Sequence, residues 1–193
     1  MKVTIKKETE KTLEFELQES TVSFANMVRR IAIGQVPVYA IKSVVVYENR
    51  STMFDEYLAN RLGLIPLTTP QKVKEEEVLF SLDATGPCTV YSKDMKNYDD
   101  SVKVANTKIP ILKLDEGQSI RVECKASAGT GREHSRHQPG LVAYNQVSEG
   151  EFAFKVETFA QMPAREMMAR AAQIANDKCN QLLELVVEAG KKD

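Results

Sequence analysis

The residues best suited to chemistry lie in one glycine-rich polar run, Gly129-Thr130-Gly131-Arg132-Glu133-His134-Ser135-Arg136-His137-Gln138-Pro139. Glycines interleaved with basic side chains resemble a phosphate cradle. The run lacks the GK[ST] ending of a P-loop, however, and Pro139 opposes a helix starting directly behind it. It reads better as a structural or interface loop. His134 and His137, three apart, bring two ring nitrogens within reach of one metal ion, but no third or fourth ligand lies nearby. Asp83, Glu133 and His134 can be imagined as a catalytic group, but their spacing demands nothing of the kind and pairs no nucleophile with a base. Cys88, Cys124 and Cys179 are odd in number and far apart, with no CxxC pair. Neither a zinc ribbon nor an iron–sulfur run is therefore encoded, and free buried thiols in a reducing compartment are expected. No catalytic, cofactor-binding or metal-ligating residue is assigned.

Composition narrows the remaining classes. Of 193 residues, 42% are hydrophobic and 27% charged, ordinary for a globular protein with room for one or two cores. The formal net charge of −1 supplies no global field that would draw the chain to nucleic acid. Residues 1–11 alternate charged and short apolar side chains without a signal-peptide core, and no apolar stretch reaches membrane-spanning length. A soluble, cytoplasmic protein is expected.

Several elements must carry whatever the chain does. Val3 and Ile5, then Leu13, Phe15 and Leu17, alternate with polar residues and predict two strands around a polar turn at 7–11. Phe24, Met27, Val28 and Ile31 share one face of a helix. Ser20, Thr21 and Ser23 are its candidate N-caps, Gly34 suits the C′ position, and Pro37 forbids continuation. Arg29 and Arg30 fall near its end, where positive charge suits the macrodipole. Residues 38–47 predict a long strand. Thr52 and Asp55 resemble a capping box opening a short helix with Phe54, Leu58 and Leu62 on one face, closed by Gly63 and Pro66. A polar stretch at 68–77 reads as a domain boundary. Beyond it the pattern is mostly β, at 78–82, 89–91 and 119–127, where Ile120, Val122, Cys124 and Ala126 share a face. A second polar break at 146–150 precedes a strand at 152–158.

Pro163 suits N1 of a last helix running to Ala189 and ending at Gly190. About 27 residues at 1.5 Å each make it roughly 40 Å long, more than a small domain is wide. Met168, Ala172, Ala175, Cys179, Leu182, Leu183 and Val186 form an apolar stripe along much of it. A stripe longer than its own domain implies a partner surface; the alternative is that it folds back on its own sheet.

Four ordered blocks resemble one family. Phe24-Ala25-Asn26-Met27-Val28-Arg29-Arg30 is similar to the helix that opens the assembly domain of RNA polymerase α-type subunits. Asp55-Glu56-Tyr57-Leu58-Ala59-Asn60-Arg61-Leu62-Gly63-Leu64-Ile65-Pro66-Leu67 resembles a segment of the archaeal D-type members of that family and their eukaryotic counterparts. So do Leu82-Asp83-Ala84-Thr85-Gly86-Pro87 and the run from Gly131 to Pro139. The likeness extends through Val156-Glu157-Thr158 to the terminal helix. It implies an α+β fold: an assembly domain, residues 1–68 plus 150–193, interrupted by a mostly β domain, residues 69–149. It implies a non-catalytic scaffold that heterodimerises with a small L-type subunit and then gathers the large catalytic subunits. Nucleotidyl transfer and its metal belong to those subunits, and DNA is met only through the complex. On this reading Phe24, Met27, Val28, Ile31, Met168, Ala172, Ala175, Leu182, Leu183 and Val186 face the small partner, while Arg29 and Arg30 contact the second-largest subunit. Two departures stand out. The cysteine-bearing ferredoxin-like insertion of many relatives is missing between Gln146 and Phe152, so no cofactor is expected. His137 stands where an aromatic, commonly Trp, is usual. The competing classes are a stand-alone enzyme using residues 129–139 as a phosphate site, and an unrelated module that dimerises through the last helix.

Overall fold

The computed structural model describes residues 1–73, 76–97 and 101–190, so two residues of the polar break at 68–77 lie outside it. Strands β1 (Lys2–Glu8) and β2 (Thr12–Gln18) and helix α1 (Val22–Gly34) come first. They are followed by β3 (Val38–Asn49), α2 (Asp55–Gly63), β4 (Val78–Thr85), β5 (Cys88–Tyr91), β6 (Lys96–Asn97), β7 (Pro110–Leu114) and β8 (Ser119–Gly129). Strands β9 (Gly140–Ser148) and β10 (Glu151–Thr158) and helix α3 (Ala164–Ala189) complete the set. The fold is α+β, and its strand pairings are antiparallel.

The chain divides into two compact units. The first comprises Met1–Val36, Pro139–Thr158 and the residues from Pro163 onward. Its sheet has the order β1-β2-β10-β9. Register places Leu17 opposite Phe152, Phe15 opposite Phe154 and Leu13 opposite Val156, so six apolar side chains share one face. The Phe15 and Phe154 rings stack at 4.8 Å. Helices α1 and α3 cover this face, sealing it with Ala25, Ile31 and Ala32 from one and Ala164, Met167 and Ala171 from the other. Thr21 caps α1, its hydroxyl oxygen accepting the Phe24 amide at 3.3 Å.

The second unit comprises Pro37–Gln138 and Phe159–Met162. It holds a sheet ordered β3-β8-β4-β6, a β5-β7 ribbon, and α2. Leu58 and Leu62 of α2, Ile41 of β3, Phe80 and Leu82 of β4, and Ile120 of β8 fill its interior.

The unit boundaries therefore fall at Pro37 and Pro139, not at 68/69 and 149/150. Strand β3 pairs with β8 from Val38–Gly129 to Asn49–Ile120, which joins it and α2 to the β-rich unit. Strand β9 pairs with β10 along its length and belongs to the other. Polar runs mark exposed loops, whereas strand pairing decides which unit a segment joins.

Smaller expectations also shift. No capping box opens α2: its N-cap is Phe54, and Asp55 instead accepts from Asn49 Nδ2 at 2.7 Å. Pro163 is the N-cap of α3 rather than N1. Gly34 is the last residue of α1, and Gln35 follows as its C-cap. That helix runs a full turn past Arg29 and Arg30, beyond the range over which its dipole favours them.

Candidate functional site

In the first unit α3 packs on β2 and β10 and α1 on β9, leaving the outer strand β1 bare. Val3 lies opposite Leu17 and Ile5 opposite Phe15, so they extend the apolar face of the sheet. Yet Val3 is 56% and Ile5 43% exposed. The uncovered strip is the floor of an open apolar groove of about 330 Å³, with Phe24 and Val28 of α1 and Met168 and Ala172 of α3 as its walls. Arg165 stands at its margin, its Nε donating to Glu8 Oε1 at 2.6 Å. That guanidinium holds the Glu8 carboxyl below the usual carboxylate range.

Four of the residues singled out from sequence thus meet in one groove. Met27 is half-buried, and Ile31 is buried within its own unit, where no partner reaches it. At 100° per residue, Arg29 and Arg30 lie roughly 120–140° from the Phe24–Val28 face, on the other side of α1. Arg30 is exposed; Arg29 is partly buried and donates to Asn26 Oδ1 at 3.0 Å.

The stripe on α3 is distinct from the face that holds the helix to its unit. Ala164, Met167 and Ala171 are buried, and their mean direction is offset by roughly 75° from that of the Met168-to-Val186 stripe. Along the helix, Met168 and Ala175 are half-buried, Ala172 is exposed, and every residue from Asn176 to Gly190 is exposed. Leu182, Leu183 and Val186 remain 63%, 63% and 61% exposed, and Leu185 and Val187 join them at 63% and 50%. The stripe does not fold back on its own sheet. A helical segment of this length is marginal in water without tertiary contacts. Groove and stripe form one continuous apolar surface suited to a second protein, and sequence reasoning missed Val3 and Ile5 as parts of it. Their alternation with polar residues was the available signal.

The polar loop is built differently. His137 is 3% exposed, and its Nδ1 lies 3.1 Å from the Val38 carbonyl, so the ring must donate there. A Cβ on Gly129 would meet the ring at 2.8 Å; this glycine is the space the imidazole occupies. Burial pushes the His137 pKa below its usual value. His134 Nδ1 accepts from the Arg136 amide at 3.1 Å and from its Nε at 3.2 Å. Arg136 also donates to the Ile41 carbonyl at 2.8 Å. Arg136 and His137 thus direct their donors to the main chain of β3, which favours the structural reading over a phosphate cradle. Among the described residues, no three His, Cys, Asp or Glu side chains cluster as metal ligands. Cys124 is buried, its thiol pushed up to about 12, while Cys88 and Cys179 are exposed, contrary to the expectation of buried thiols throughout. No helix among the described residues is long and apolar enough to cross a membrane.

A family model described as the RNA polymerase Rpb3/RpoA insert domain matches residues 48–143. The DNA-directed RNA polymerase subunit Rpo3 of Methanocaldococcus jannaschii is 44% identical over 166 residues, covering 86% of this chain and 86% of its own length. That of Pyrococcus furiosus is 43% identical over 75% of this chain, and that of Natronomonas pharaonis 42% over 74%. The match spans 58% of each of those two longer proteins. Identity of this order across most of the chain and of one full-length relative places the protein in a family: it belongs to the Rpo3 subunits of DNA-directed RNA polymerase.

Proposed function

We propose that the protein is a non-catalytic assembly subunit of DNA-dependent RNA polymerase that pairs with a small L-type subunit and then recruits the large catalytic subunits. The observation that carries this reading is the apolar groove continued by an exposed stripe along α3, on a unit whose core is already complete without either. The small partner covers Phe24, Val28, Met168 and Ala172 in the groove and Leu182, Leu183 and Val186 beyond it. Arg29 and Arg30, on the opposite side of α1, stay available to the second-largest subunit. The chain itself binds no metal or iron–sulfur cluster, works in the cytoplasm, and meets DNA only through the complex.

Stepwise reconstitution tests the order of events. Mixed with the small subunit alone, the chain forms a stable one-to-one complex. Added to the second-largest subunit without the small one, it assembles poorly. Equal assembly in both orders refutes the proposal.

A further inference from the structure

Helix α3 carries both halves of one apolar joint. The concave half is the groove of about 330 Å³, whose α3 wall is Met168 and Ala172. The convex half is the overhang of the same helix, where every residue from Asn176 to Gly190 is exposed and Leu182 and Val186 are the prominent apolar side chains. Their midpoints, positions 170 and 184, are roughly 21 Å apart along the axis. A straight helix cannot bring its own overhang back to its own groove. In a two-fold pair each copy's convex half meets the other's concave half, so both are satisfied at once.

The spacing of the stripe identifies the covering element as a helix. Met168, Ala172, Ala175, Cys179, Leu182 and Val186 are separated by four, three, four, three and four residues. This is a heptad seam, the period that keeps one face of a helix against a neighbouring helix. An antiparallel copy sets Val186 opposite Met168, Leu182 opposite Ala172 and Cys179 opposite Ala175, about a two-fold axis near Asp177. Sliding one heptad in either direction fails. One slide puts Leu182 against Arg165, which already donates to Glu8, and the other withdraws Leu182 and Val186 from the groove.

The area and the charge both allow the pair. In this register the helices overlap from Arg165 to Ala189, and half of a cylinder about 10 Å across and roughly 37 Å long is about 600 Å². Val3 and Ile5 on the groove floor and Phe24 and Val28 on its far wall bring each copy toward the ~800 Å² per partner of a specific interface. At 100° per residue, Asp177, Glu184 and Glu188 fall on the side of α3 away from the seam. Lys178 flanks the seam and meets its own copy beside the axis, a like-charge contact that weakens the pair about twofold. The surface is thus self-complementary in shape but not in charge, which leaves a dedicated partner able to displace the second copy.

We propose that two copies of this chain pair antiparallel along α3, each seating Leu182 and Val186 in the other's groove, and that the small subunit displaces the second copy. Only the displacement rests on the small-subunit reading. Sedimentation of the full chain alone should show a reversible dimer, half-formed at about 10 µM. Leu182→Lys, present twice in each pair, should weaken it about 30-fold or more and leave the melting temperature unchanged at about 1 µM, where both forms are monomers. In a Cys88→Ser background, Ala175→Cys should form a disulfide-linked dimer with Cys179 of the second copy on mild oxidation, and Gln181→Cys, on the far side of the helix, should not. Equimolar small subunit should convert the dimer to a one-to-one heterodimer. A wild-type chain that stays monomeric at about 300 µM, a dimer that survives Leu182→Lys, or equal cross-linking from the two cysteine variants overturns the self-pairing, whatever the small subunit does. A larger complex that keeps the chain's own dimer overturns the displacement. A small subunit that binds neither form refutes the small-subunit reading and the displacement with it, while sedimentation still decides the self-pairing.

Discussion

Leu182→Lys is the sharpest probe of the α3 surface. Leu182, Leu183 and Val186 each keep about six-tenths of their surface exposed in the free chain. Full burial of such a side chain contributes about 1.5–3 kcal/mol, so covering the remaining fraction yields about 1–2 kcal/mol each. The substitution removes one such share and places an ammonium where docking would strip it of water. Part of that penalty is avoided if the long stem carries the charge to the rim. A net loss of about 2–4 kcal/mol follows, which raises Kd for the small subunit about 30- to 700-fold. The free chain should hardly notice. Lys is nearly as good a helix former as Leu, and an exposed substitution stays within about 0.5 kcal/mol. Calorimetric titration with the purified small subunit reads the first effect, and thermal melting of the free variant reads the second. A Kd within threefold of wild type would refute the assignment of the stripe to that partner.

Replacing Arg29 and Arg30 together with Ala should leave the small-subunit complex intact and weaken recruitment of the second-largest subunit by about 2 kcal/mol, scored in separate reconstitutions. Loss of the first complex would mean the pair supports the fold, and full assembly would make both arginines bystanders. His137 has a folded pKa below its ordinary 6.5, chiefly because burial disfavours the charged ring. Its contribution to stability is therefore complete above pH 6.5 and declines as pH falls through that value toward the folded one, as the unfolded chain takes up a proton the native ring resists. Urea melts of wild type between pH 7 and 5 should show this slope, and His137→Gln should flatten it; identical slopes would contradict the buried neutral ring. Elemental analysis after chelator treatment should find far less than one iron or zinc per chain, and a retained stoichiometric metal would overturn the cofactor-free reading.

What the sequence reveals depends on how far apart the interacting groups lie. Helices α1 and α3 announce themselves through spacing alone, because burial of one face repeats every three or four residues. Strand β9 does not: Val142 and Tyr144 point toward its own unit while Leu141 and Val147 are exposed, so apolar residues on both faces erase the alternation. Strand β7 is five residues opening on Pro110, too short to show a period. The unit boundaries were misplaced because pairing partners such as Val38 and Gly129 are ninety-one positions apart. The direction of the α3 stripe relative to the buried Met167 and Ala171 depends on where α1 and the sheet sit, which no helical wheel contains.

Two kinds of recognisable residue differ in what they demand of the sequence. Arg61 grips the carbonyls of Pro110 and Ile111, and Arg136 grips that of Ile41. Every residue offers a carbonyl, so these acceptors leave no trace in the sequence, but the donor must be a fork of guanidinium geometry and nothing else substitutes for it. Their motifs therefore look like chemistry while serving the frame. The groove and stripe make the opposite demand. Any apolar side chain at the right helical spacing will do, and the surface they form looks like ordinary amphipathic helix. The family model matched at 48–143 contains both arginines and none of the groove-lining residues, which lie at 28 or below and at 165 or above. In this chain the specific motifs hold the unit together, and the unspecific stripe is where partner binding has to be sought.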